Sequence, residues 1–136
     1  MKLCRAGKLG KEKPALIDDE RNYRDLSSTI KDLNPSTLNF ETLEKIKNLD
    51  IKKLPIMDKN LRIGACVSNP SKFIGIGLNF KDHALEQNLP IPYEPIIFSK
   101  FTNCIIGPND DIIIPKNSTH TDWEVELGFV IGKRAS

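Results

Sequence analysis

A chain of 136 residues with 39% apolar and 28% charged side chains has the composition of a soluble globular protein, with room for one ordinary domain or two small ones and for a modest core. No run approaches the roughly 18 apolar residues a bilayer span needs, and Met1-Lys2-Leu3-Cys4-Arg5 lacks the apolar stretch of a secretory signal, so the expected address is the cytoplasm with no membrane partner. Twenty basic against eighteen acidic residues leave +2, with the lysines scattered rather than massed, a pattern that argues against nucleic acid as a partner.

The elements follow in chain order. Ala15-Leu16-Ile17 is a short apolar run closed by the polar turn Asp18-Asp19-Glu20-Arg21-Asn22, and Tyr23-Arg24-Asp25-Leu26 can pair back on it as a hairpin. From Asn39 to Leu49, Phe40, Leu43, Ile46 and Leu49 recur at threes behind Asn39 as N-cap, with Glu41 four residues before Lys45, and this predicts a surface helix. Pro55, Asp58, Asn60 and Pro70 punctuate the stretch Asp50 to Asn69, which reads as a connector. A boundary near residue 66 divides a small N-terminal domain, 1–66, from a second unit, 67–136. Cys4, Cys66 and Cys104 lie too far apart to suggest a zinc site or a disulfide framework, and are expected to be reduced and mostly buried.

The second unit reads as mainly sheet. Phe73-Ile74-Gly75-Ile76-Gly77-Leu78 has strand length, and its alternate glycines leave one face bare for a close approach. Asn79 is placed to cap a short helix ended by Pro90 and Pro92, on which His83 and Glu86, three apart, share a face. Pro95 to Phe101 reads as a strand, Gly107-Pro108-Asn109-Asp110-Asp111 as a turn and Ile112-Ile113-Ile114 as a further strand. In Trp123 to Gly132 the odd positions are large and apolar and the even ones are Glu, Glu, Gly, Val and Gly, the two-residue period of a strand. Glu124 and Glu126 would then share a face with Cα atoms about 6.5 to 7 Å apart, within reach of one hard cation. An amphipathic strand with its charged side in water gives the same pattern. A histidine oriented by a carboxylate, as His83 by Glu86, makes a general base, though solvated neighbours at this spacing look alike. His120 sits in a polar loop and is assigned no role.

The order of these blocks resembles the fumarylacetoacetate hydrolase family: Phe73 to His83, then Glu86, then Glu94-Pro95-Ile96-Ile97-Phe98-Ser99-Lys100, then Gly107 to Asp111, then Thr121-Asp122-Trp123-Glu124-Val125-Glu126-Leu127-Gly128. Gly10 to Pro14 and Arg24 to Ser27 resemble the small N-terminal domain of a branch that includes 2-hydroxyhepta-2,4-diene-1,7-dioate isomerase and ureidoglycolate lyase-like members. The resemblance implies an α+β, mainly β fold: a small N-terminal α/β domain followed by the truncated start of a mixed β catalytic fold. It also implies that Glu124 and Glu126 bind Mg2+ (or Mn2+ or Ca2+), that His83 and Glu86 activate water, and that Lys100 lies near a 2-oxo or 2,4-dioxo acid substrate. The implied reaction is metal-assisted hydrolysis of a carbon-carbon bond through an enolate. Lyase and isomerase chemistry are the alternatives in the family, and a non-catalytic fragment is a third reading.

Where many members have Gly-Arg-Asn-Tyr this chain has Gly77-Leu78-Asn79-Phe80, so an arginine that could hold a substrate carboxylate is missing. The family's third metal carboxylate would fall beyond Ser136. The chain is accordingly expected to end before its active site is complete, to be inactive alone, and to form a homodimer when full length.

Overall fold

Residues 13–25 illustrate how the chain makes sheet. Tyr23-Arg24-Asp25-Leu26 alternates poorly, but a turn joins it to the apolar run Ala15-Leu16-Ile17, and in the computed structural model, which describes residues 1–134, strand β2 (Lys13–Ile17) turns into β3 (Tyr23–Asp25) with Ile17 opposite Tyr23 and Ala15 opposite Asp25. The turn is built by Asp18, whose carboxylate accepts the Asn22 backbone N–H at 2.7 Å and Arg24 Nε at 2.7 Å, while Arg21 takes the left-handed conformation, φ 64°. A strand the pattern did not suggest, β1 (Lys2–Ala6), pairs antiparallel on the other side of β2, giving the order β1-β2-β3.

Helix α1 (Phe40–Lys47) begins where its cap is: the Asn39 side chain accepts the Thr42 N–H at 2.9 Å. Ile46 is fully buried and joins Leu16, Leu26, Ile30 and Leu33 in one core, with Leu3, Leu38, Leu49 and Leu54 packed around it. Phe40, which begins the apolar repeat, is exposed; as the first helical residue it has no turn ahead of it to lean across. The stretch read as a connector is bonded to the sheet. Asp25 N–H donates to the Pro55 carbonyl at 2.8 Å and Met57 N–H to Tyr23, while Gly7 N–H donates to Arg62 and Gly64 N–H to Arg5, each at 2.8 Å. Both outer edges of the three-stranded sheet, otherwise open rows of donors and acceptors, are thereby covered.

By compactness the chain divides into Met1–Ser68 together with the segment returning from Ile106, and Asn69–Ile105. In the latter, β4 (Phe73–Gly77) and β5 (Ile96–Lys100) pair antiparallel, Gly75 opposite Phe98, with α2 (Lys81–Glu86) between them in sequence. The architecture is mixed, two small sheets with few helices.

Several expectations are corrected. Ile112–Ile114 and Trp123–Gly132 form no strand. Alternation defines two faces, but a strand also needs a neighbour's N–H and C=O alongside, and among the described residues none pairs with these segments. Helix α2 is capped at Phe80, not Asn79, with no side-chain cap bond. It ends before the prolines, at Asn88 (φ 55°): Asn88 N–H donates to Leu85 at 3.0 Å and Leu89 N–H to Ala84 at 2.9 Å, a Schellman motif with asparagine at its left-handed position. Of the cysteines only Cys4 is buried, and burial pushes its thiol pKa up; Cys66 and Cys104 are exposed, and all three are free.

Candidate functional site

Helix α2 presents His83 and Glu86 one turn apart, with His83 Nδ1 3.9 Å from Glu86 Oε2 and both side chains largely open to solvent. That distance exceeds a hydrogen bond and is the reach of an ion pair, which a rotation of either side chain would close. The spacing missed a third member. Gln87 Nε2 lies 3.0 Å from His83 Nε2 across the i, i+4 interval of the same face. An amide nitrogen only donates, so it leaves the ring proton of a neutral imidazole on Nδ1, facing Glu86. The four-residue interval was the available signal for it.

Lys100 closes β5 directly opposite Phe73 in the ladder. Its ammonium lies 5.7 Å from the Phe73 ring centre and 5.8 Å from that of Phe98, two residues earlier on the same face. The bare face expected at the glycines is filled by this arrangement: a Cβ on Gly75 would stand 2.5 Å from the Phe98 ring, so the missing side chain lets that ring lie across the ladder and support Lys100. Leu78, at the position where the resemblance would place an arginine, takes φ 47°, a conformation costly for a large apolar residue.

Glu124 and Glu126 belong to the other compact unit, in an exposed segment without regular structure. As hard oxygen donors they fit Mg2+ in type. No group of three or more His, Cys, Asp or Glu able to hold a metal gathers among the described residues, so the two glutamates would hold the ion with water completing its shell. An open cavity of about 950 Å3 lined by apolar residues such as Leu16, Ile17 and Ile46 and by both acidic (Asp18, Asp19, Glu20) and basic (Lys2, Arg24, Lys47) side chains contains none of the five candidate residues. No helix among the described residues is long and apolar enough to cross a membrane.

Residues 72–136, a stretch that opens with β4, helix α2 with His83 and Glu86, and β5 ending in Lys100, match the model described as fumarylacetoacetate (FAA) hydrolase C-terminal. Over residues 72–136 the chain belongs to the fumarylacetoacetate hydrolase family. It is 51% identical over 132 residues to a Burkholderia lata protein named "Putative hydrolase", covering 97% of this chain and 47% of that one. It is 52% identical over 132 residues to a similarly named protein of Burkholderia multivorans, with the same coverage. The chain thus spans about half the length of the curated relatives it matches. Among solved structures, the one titled as a "putative HpcE protein from Mycobacterium smegmatis" superposes with a TM-score of 0.65 at 21% identity, over 85% of this chain and 41% of that chain. That likeness concerns the fold.

Proposed function

We propose that the protein is part of a divalent-metal-dependent hydrolase that cleaves carbon-carbon bonds of 2-oxo or 2,4-dioxo acids such as acylpyruvates in cytoplasmic catabolism, with residues 1–66 as its small N-terminal domain and 67–136 as the start of its catalytic domain, dimeric when full length. The observation that carries the reading is the His83–Glu86 pair at 3.9 Å, on the helix that follows β4 and inside the stretch matching the family's enzyme domain.

His83 acts as the base. With the proton on Nδ1 beside Glu86, Nε2 is the basic nitrogen, and a water that takes the place of the Gln87 amide meets it directly. Glu86 holds the ring and stabilises the positive charge it gains on taking the proton. Lys100, held over Phe73 and Phe98, offers a cation to a substrate carboxylate, a task for which Leu78 has no group. Glu124 and Glu126 would supply two oxygen ligands to Mg2+, which when bound provides Lewis-acid stabilisation of negative charge at substrate oxygens. Lyase or isomerase reactions place the same demands on these residues, and product analysis separates them from hydrolysis.

The test is an assay of acylpyruvates with Mg2+ on this chain alone and on this chain joined to the remaining half of the Burkholderia lata relative. The joined protein should turn over and the 136 residues alone should not. In the joined protein His83→Ala should lower kcat by about 10²–10⁴-fold, and Glu124→Ala should weaken Mg2+ binding measured by calorimetry. Turnover indifferent to His83→Ala would sink the assignment, and Mg2+ affinity unchanged in Glu124→Ala would return the acidic pair to the role of solvated charges.

A further inference from the structure

Residues 111–131 are exposed without exception, yet the positions on either side of them are not. At the near end, Arg62 Nε donates to Asp110 Oδ1 at 2.6 Å and Arg62 Nη2 donates to Asp110 Oδ2, a two-pronged grip. The same Oδ2 accepts the Gly107 N–H at 2.7 Å, and Asp110 N–H returns to the Gly107 carbonyl at 3.1 Å, so the carboxylate held by Arg62 also closes its own turn. Gly107 is buried, and a Cβ there would fall 2.2 Å from the Ile63 carbonyl oxygen: the turn lies directly on the backbone beside Arg62. At the far end, a Cβ on Gly132 would be 3.2 Å from the Leu38 carbonyl oxygen, just ahead of the Asn39 cap.

Arg62 is itself fixed. Its carbonyl accepts the Gly7 N–H, and its Nη1 donates to Glu12 Oε1 at 2.7 Å. The Glu12 side chain is only 5% exposed and is shared with Arg5, whose Nε donates to Asp32 at 2.6 Å. The charges alternate in sign from Asp32 through Arg5, Glu12 and Arg62 to Asp110, and they root the grip in β1, unlike an exposed ion pair between two long mobile side chains.

We propose that Arg62 and Asp110 form a latch which, with the seat of Gly132 on Leu38, fastens residues 111–131 as a strap at both ends, making Arg62 and Asp110 positioning residues for Glu124 and Glu126. The small N-terminal domain is then the anchor that presents the acidic pair. The functional weight of this inference rests on reading that pair as metal ligands; the latch does not.

The strap carries the chain's only tryptophan, Trp123, beside Glu124, so its motion can be read without metal or substrate. In the 136-residue chain, Asp110→Asn and Arg62→Lys should each lower the fluorescence anisotropy of Trp123 and should speed amide exchange at Gly107 and Asp110 by roughly tenfold or more, as expected when a charge-assisted pair is lost. Exchange in β2 and β3 should stay unchanged. Arg62→Lys keeps a cation for Glu12 but cannot span both oxygens of Asp110, so it reports on the latch even if Asp110→Asn impairs folding. Unchanged anisotropy and unchanged Gly107 exchange in Arg62→Lys would overturn the proposal, as would a wild-type Trp123 rotating as freely as in a short peptide. Because no metal is present, neither result depends on whether Glu124 and Glu126 bind one.

Discussion

The hairpin at 13–25 and the segment at 123–132 both carry strand signals, the second the cleaner of the two, and only the first is sheet. In the hairpin, a five-residue turn organised by Asp18 delivers the partner strand, and Leu16 is 2% exposed. In the segment, Trp123, Val125, Leu127 and Phe129 alternate with glutamates and glycines, yet each of these four is more than 70% exposed. Periodicity tells which side chains share a face. It does not supply the neighbour whose backbone completes the ladder, and a local turn is the one partner-finding device that sequence displays directly.

The largest effect should therefore separate these regions by truncation. Ile46 is fully buried in the core that backs the hairpin, and Ile46→Ala should cost about 2–5 kcal/mol in urea unfolding. Leu127→Ala, of comparable hydrophobicity change at a 76% exposed position, should stay within about 0.5 kcal/mol. A cost at Leu127 near that at Ile46 would mean that the segment buries its apolar face in solution, and the contrast would fail. A second, smaller effect tests a ladder whose two strands are far apart in sequence but do meet. Gly75→Ala would place a methyl 2.5 Å from the far end of the Phe98 ring, which is 43% exposed and can turn aside, so β4 and β5 should lose about 0.5–1.5 kcal/mol, read by amide exchange within Asn69–Ile105. Exchange rates equal to wild type would show that the ring does not lie across Gly75.

How much could be read in advance follows the same division. The Asn39 cap, the hairpin, the lengths of β4 and β5 and the turn at Gly107–Asp111 are written in contiguous residues, and the structure has them. Strand β1 was invisible because Lys2-Leu3-Cys4-Arg5-Ala6 carries only Leu3 as a large apolar residue, and it is sheet because β2 lies beside it. The bonding of residues 55–64 to both sheet edges was hidden for the same reason. In the candidate site, the spacing of His83 and Glu86 gave their common face, and Gln87 could have been added from its interval of four. The support of Lys100 by Phe73 and Phe98 could not be seen, because it depends on a register between strands about twenty residues apart.

A third effect should be no larger. Asn39→Ala removes the acceptor for the Thr42 N–H and should cost about 1 kcal/mol in the same urea unfolding, because one donor at the start of α1 loses its partner. A loss comparable to that of Ile46→Ala would mean that the cap carries more of α1 than one hydrogen bond can account for.

The last effect is confined to acid and concerns the turn that gives the hairpin its partner. Burial pushes the Asp18 carboxyl up, but the Asn22 backbone N–H, the Asn22 amide and the Arg24 guanidinium outweigh it and hold the pKa at about 2, against an ordinary 3.8. A carboxylate whose folded value is depressed contributes stability that is fully present above its unfolded value and is lost as pH falls through the folded one. Wild-type stability should therefore fall between pH 3.8 and about 2 by an amount that Asp18→Asn, which has no proton to bind there, does not lose. Glu12, Asp25, Asp32 and Asp110 are also held below their ordinary values and will make both proteins lose stability in acid, so the measurement is the difference between the two pH profiles of urea midpoint. That difference should be constant near neutrality and should shrink steadily below pH 3.8, as the wild-type carboxylate takes up its proton and its bonds to Asn22 and Arg24 weaken. Parallel profiles from pH 5 to about 2 would mean that Asp18 is no better held in the folded chain than in the unfolded one, and that the turn is closed by its backbone alone.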